Sequence, residues 1–185
     1  MTLISAFKTL EIELQTLREN LIGLRTTIIE DKPVGEEVVF VSRLGDAIDD
    51  LLGWLEEILL ATSQGRQAIE PGPNLNQAWR ALISCQEQFN HLVYRFFDLI
   101  SYDHLAPLVH FGRQHNGEWR AWANSVKEGL DRCQQPMYDV NQALFHCWQE
   151  IAERAGLTTV SVQSTNIGQQ ITVPEGREGV REGLP

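Results

Sequence analysis

The sequence predicts an all-α protein: an up-down antiparallel helical bundle of four main helices, followed by a tail of different character. Three observations carry that expectation. Apolar residues recur at alternating steps of three and four for nearly thirty residues from Leu3. Three later stretches repeat the pattern. Stretches rich in Pro and Gly, such as Lys32 to Gly35 and Gly65 to Pro73, separate the first of them.

In the first helix, from about Leu3 to Glu30, the seam is Leu3, Phe7, Leu10, Leu14, Leu17, Leu21, Leu24 and Ile28. A heptad seam of this kind must be covered by partner helices, as in a coiled coil. Glu11, Glu13, Arg18, Asn20 and Arg25 flank it, so the stripe is narrow and the helix is expected at the bundle's periphery. Pro33 and Gly35 end it.

The second helix starts near Glu36 or Glu37 and carries Val41, Leu44, Ile48, Leu51, Leu55 and Ile58. Leu52 and Leu59 widen the stripe on one side, and Phe40, Ala47 and Trp54 on the other, so this helix should be wedged between two others. The short connection before it makes the first pair antiparallel. Ser63 to Asn74 reads as a loop, with Asn74 placed to cap the third helix.

That third helix shows Leu75, Trp79, Leu82, Gln86, Phe89, Val93, Phe96 and Ile100. Gln86 is the polar residue in the seam, and its length is expected to let it reach solvent rather than fix a register. Ser101 to Gly117 is a connector, with a short helix around Leu105 to Phe111 capped by Asp103.

The fourth main helix runs from Glu118 to about Ala155, where Gly156 terminates it. Its apolar steps contain a stutter at Trp122, Val126 and Leu130. Pro136 removes a ladder hydrogen bond and clashes with the carbonyl of Arg132, so the helix should be kinked or split there.

From Leu157 the chain becomes β-prone or disordered. Thr158 to Gln163 and Gln170 to Val173 alternate around a turn at Asn166 to Gly168, and Glu-Gly then occurs three times after Pro174. The expected division is a bundle over 1–156 and a tail over 157–185.

Charge bounds the function. The net charge is −10, and up to Leu60 five Lys or Arg stand against twelve Asp or Glu, leaving −7 there. A field of that sign repels phosphate and anionic lipid, so the expected partner is a basic protein or a second copy, with no direct nucleic acid and no membrane surface. No uncharged apolar stretch approaches the roughly 20 residues of a membrane span. The N-terminus lacks the basic start and apolar run of a signal peptide. Cys85, Cys133 and Cys147 form no CxxC and are odd in number, which fits small buried groups in a reducing, cytoplasmic compartment better than a disulfide framework or zinc site.

Candidate chemistry thins out on inspection. No Glu has a His three residues on, as di-iron bundles require. Asp103, His104 and His110 fall in the connector and read as ordinary surface or capping residues. His110-Phe111-Gly112-Arg113 comes nearest to a phosphotransfer histidine but lies on an expected turn. Asp46, Asp49, Asp50, Glu56 and Glu57 read as a solvated acidic face, since Ca²⁺ takes its oxygens from a turning loop. Trp148, beside the seam, reads as core rather than as an exposed anchor. Without a phosphate loop, nucleophile elbow or metal-hydrolase pair, no catalytic residue, metal or cofactor is assigned.

What remains is a non-catalytic scaffold or adaptor, a complex subunit acting through protein-protein interaction. Its partner-binding residues are placed in the tail at Val160, Val162, Ile171 and Val173, whose alternation suits strand addition to a partner's sheet or to another copy. The alternatives are a catalytic or cofactor-holding bundle, which needs polar groups at the bundle centre, and a helical subunit of a nucleic-acid-guided complex, which needs a basic stripe.

Overall fold

The computed structural model describes residues 2–34, 39–70, 72, 74–115 and 117–156, and the backbone of 161–165 and 168–172; side chains of 39, 40 and 102–105 are not described. The fold is all-helical apart from one short hairpin. In chain order it has α1 (Leu3–Ile29), α2 (Val39–Gln67), α3 (Leu75–Leu99), α4 (Tyr102–Gln114), α5 (Glu118–Arg154), β1 (Ser161–Thr165) and β2 (Gly168–Thr172).

α1 begins at a capping box. The Thr2 side chain accepts from the Ser5 backbone N–H, and the Ser5 hydroxyl accepts from that of Thr2. All eight seam residues of α1 are 2% exposed or less, whereas Ile12, Ile22 and Ile29 lie off the stripe and reach solvent. The stripe is as narrow as the sequence implies, yet α1 is not peripheral. It packs most extensively on α5 and then on α2, because the alternating bulky positions of one seam interlock with two neighbours at once.

In α2 the seam from Val41 to Ile58 is buried as expected, and the helix sits between α1 and α3. Its end corrects the sequence reading: the helix continues through Ser63 and Gly65 to Gln67, shortening the loop. Gly65 does not break it, because Gly65 is where α2 meets the Phe7 ring. A Cβ there would lie 2.5 Å from Phe7 Cε1 and 3.1 Å from Ala81 Cβ. The supposed start at Glu36 or Glu37 lies outside the described residues.

Asn74 caps α3 as expected, its side chain accepting from the Gln77 N–H. The buried face of α3 is rotated from the predicted seam. Ala78, Cys85, Leu92 and Leu99 are buried, while Leu75, Trp79, Val93 and Ile100 are only partly so. α4 starts earlier than expected, at Tyr102 with Ser101 in the cap position rather than Asp103.

α5 is a single helix through Pro136, so the split alternative does not hold. Cys133, Met137 and Val140 are buried on either side of the proline, and their burial offsets the local cost of about 3 kcal/mol. Gly156, with φ +70°, ends the helix, and its N–H reaches the Glu153 carbonyl.

After α5 the two strands pair with each other, Val162 opposite Ile171 and Thr165 opposite Gly168, with β2 against α5. β1 takes in Ser161 to Gln163 of the first predicted segment and β2 takes in Gln170 to Thr172 of the second, each reaching further toward the other; Thr158 to Val160, Asn166, Ile167 and Val173 lie outside the described residues. None of the described helices is long and apolar enough to cross a membrane.

Candidate functional site

The flanks of the α1 seam repeat every seven residues, which places Glu11, Arg18 and Arg25 along the edge facing α2. There Glu11 pairs with Arg66 at 2.9 Å, Arg18 with Glu56 and Arg25 with Asp49. The order of partners shows that α1 and α2 run in opposite directions. A slip of one heptad would keep a single pair of opposite charge, Arg18 with Asp49 or Arg25 with Glu56, so the three pairs together favour this register. The hydrogen bonds that Arg25 donates to Asp49, and Arg66 to Glu11 and Glu70, raise the pKa of both guanidinium groups. Pairs this exposed are screened by solvent, so they specify more than they stabilise.

Of the acidic face read from the sequence, Asp49 and Glu56 are therefore engaged by α1. Asp46, Asp50 and Glu57 remain exposed on the outer side of α2. Beside this edge lies a groove of about 750 Å³ between α1 and α2, with Ile12 and Leu59 among its walls. In the sequence the available signal for Ile12 is its position outside the α1 seam.

A second polar arrangement is internal. Gln86 does not reach solvent. It is 7% exposed, its Oε1 accepts from the Trp148 indole N–H at 3.3 Å, and its Nε2 donates to Asn90 at 3.0 Å. Trp148 is core, edge-on to Trp79 at 4.9 Å. Nearby, the Thr62 hydroxyl bonds the Ile58 carbonyl and the Cys85 sulfur, tying α2 to α3. Burial pushes the Cys85 thiol up to about 11 and that of Cys133 up to about 12, and raises Cys147 as well. These thiols stay protonated at neutral pH, which is the opposite of an activated nucleophile.

The third arrangement joins α4 to α5. Arg120 donates to the Gly112 and Arg113 carbonyls and so satisfies the end of α4. His115 stacks on Phe111 at 3.9 Å, and because the Phe111 carbonyl can only accept, His115 Nδ1 carries the hydrogen of their 2.9 Å bond. Trp119 stands edge-on to both Phe111 and Trp122. His110-Phe111-Gly112-Arg113 lies within α4 rather than on a turn, with His110 exposed. The side chains of Asp103 and His104 are outside the described set, and among the described residues no three His, Cys, Asp or Glu gather as a metal site.

Of the tail residues assigned to partner binding, Val162 and Ile171 are partners in the backbone register of the hairpin. Val160 and Val173 lie outside the described residues. Comparison with protein-family models, with curated proteins and with solved structures gave no match. Function has to be read from the molecule's own surfaces.

Proposed function

We propose that this chain is a non-catalytic helical scaffold or adaptor, joining proteins within a cytoplasmic assembly. In this reading its four long helices form an up-down bundle, α4 lies across one end, and residues 157–185 are an appended tail. Two contacts support that topology. The α1–α2 ion pairs run antiparallel, and the Trp122 indole at the start of α5 donates to the Thr27 carbonyl near the end of α1.

The observation that carries the functional reading is the exposed line of Asp46, Asp50 and Glu57 on the outer side of α2, left over after Asp49 and Glu56 are engaged within the fold. A surface of that sign steers basic protein partners toward the first helix pair. The interior supports the same reading, because its buried polar side chains Thr62 and Gln86 are committed to bonds that hold helices together. Val160, Val162, Ile171 and Val173 form a second contact surface in this proposal.

The test is affinity capture with the full-length chain, at low and high salt, beside the triple variant Asp46→Lys, Asp50→Lys and Glu57→Lys, with folding checked by circular dichroism. The expected result is a discrete set of basic proteins, identified by mass spectrometry, that both salt and charge reversal release. Retention indifferent to both, or no specific protein retained, would remove the reading.

A further inference from the structure

In the hairpin after α5, β2 lies against α5, so β1 is the outer strand of the pair. The register fixes which backbone groups the hairpin itself uses. Thr165 pairs with Gly168 across only two residues, and a pair that close can be bridged only by bonds between its own N–H and C=O groups. Bonded and non-bonded pairs then alternate along an antiparallel ladder, so Gln163 with Gln170 and Ser161 with Thr172 are bonded pairs too. Val162 and Ser164 of β1 therefore direct their N–H and C=O away from β2. Among the described residues the sheet has two strands, so this outer edge has no strand beside it.

The sequence of the edge says what would complete it. From Ser161 to Thr172 the chain carries no Lys, Arg, Asp, Glu or Pro, although its net charge is −10. Charges and proline are what ordinarily block edge-to-edge pairing, so nothing in β1 opposes a strand of its own sequence. The edge is also self-complementary. When a second β1 is set antiparallel with all five residues overlapping, Val162 meets Ser164, Gln163 meets Gln163 and Ser164 meets Val162, so the outward groups of each copy fall opposite those of the other.

We propose that β1 pairs with β1 of a second copy of this chain about a two-fold axis at Gln163, joining the two hairpins into one four-stranded antiparallel sheet. A lone two-stranded hairpin is marginal in water, and the joined sheet satisfies the outward N–H and C=O of Val162 and Ser164 in both copies. This is strand addition between identical edges. It rests on the reading of the tail as a contact surface and names the occupant, independently of the acidic face of α2.

The experiment is sedimentation equilibrium of the full-length chain over a range of concentrations, at low and high salt. A monomer–dimer equilibrium is expected that tightens as salt screens the repulsion between two chains of net charge −10, the opposite of a basic partner's salt response. Ser164→Pro removes an outward N–H without touching a bond to β2, and should weaken the dimer by about tenfold or more. Gln169→Pro makes the same change at the paired position of β2 and should weaken it less than about twofold. Gln163→Lys and Gln163→Glu each set like charges at the axis and should weaken self-association, while an equimolar mixture of the two variants should restore a dimer. A chain monomeric throughout, which would leave the edge to a strand of another protein, overturns the proposal. So does a dimer that survives Ser164→Pro, an equal loss from both prolines, or a mixture no tighter than either Gln163 variant alone. If the capture experiment succeeds while this one fails, the scaffold reading stands and the β1 edge is not a self-contact.

Discussion

Two glycines of α2 should respond to alanine with opposite signs. At Gly53 a new Cβ meets nothing within 4 Å, so Gly53→Ala should stabilise the fold by about 0.5 to 1 kcal/mol through helix propensity alone. At Gly65 the same atom would stand 2.5 Å from the fully buried Phe7 ring, and overpacking of that kind costs about 1 to 3 kcal/mol, enough to outweigh the propensity gain. Urea denaturation of the two variants measures both, and a stabilised Gly65→Ala would show that Phe7 moves freely. The thiols give a pH prediction. Cys85 binds its proton up to about 11 in the fold, against an ordinary value of 9.0. Between those values the unfolded chain has lost a proton that the folded chain keeps. Stability should therefore fall as pH rises from about 9 towards 11, by up to about 1.4 kcal/mol per pH unit for each such thiol. A thiol-reactive dye at pH 8 should label the native chain slowly and the denatured chain at once; rapid native labelling would contradict the burial of all three.

The helices raise a different question, which is how α5 runs unbroken through a proline. Pro136 forfeits a ladder bond to the Arg132 carbonyl, so α5 is held helical from outside, by Cys133, Met137 and Val140 buried against its neighbours. Pro136→Ala restores the bond while giving up some ring burial, and the expected net is a gain of about 1 kcal/mol with the fold intact. A loss of several kcal/mol on chemical denaturation would mean that the proline's shape is itself part of the packing. In α3 the question is one of rotation. Trp79 and Val93 are bulky enough to dominate a periodicity count, but small residues such as Ala78 and Cys85 occupy the buried face, where helices approach closely.

For the molecule as a whole, the helical body and the hairpin should separate in stability. The continuous core is built from residues of α1 to α5 and the loop residue Ile69, whereas a lone two-stranded hairpin is marginal in water. Deleting the chain after Gly156 should shift the thermal midpoint by no more than about 2 °C, a change of well under 1 kcal/mol. A larger fall would show that β2 supports α5 and does not merely lie against it.

Much of the fold was legible in the residues, because a heptad seam states its own burial: every seam position of α1 and α2 is buried, and Asn74 and Gly156 act at helix ends through chemistry local to them. The candidate surface was half legible. The acidic residues of α2 were evident, but which of them face solvent depended on Arg18 and Arg25 arriving from another helix. The groove at Ile12 required two helices side by side, and no single-helix pattern contains it. The same holds for Gly65, for Gln86 and for Pro136. Local signals for a break, a solvent-reaching amide and a split helix gave way to Phe7, to the Trp148 indole and to buried neighbours, because contacts between residues far apart in the chain outweigh propensities of about 1 to 3 kcal/mol.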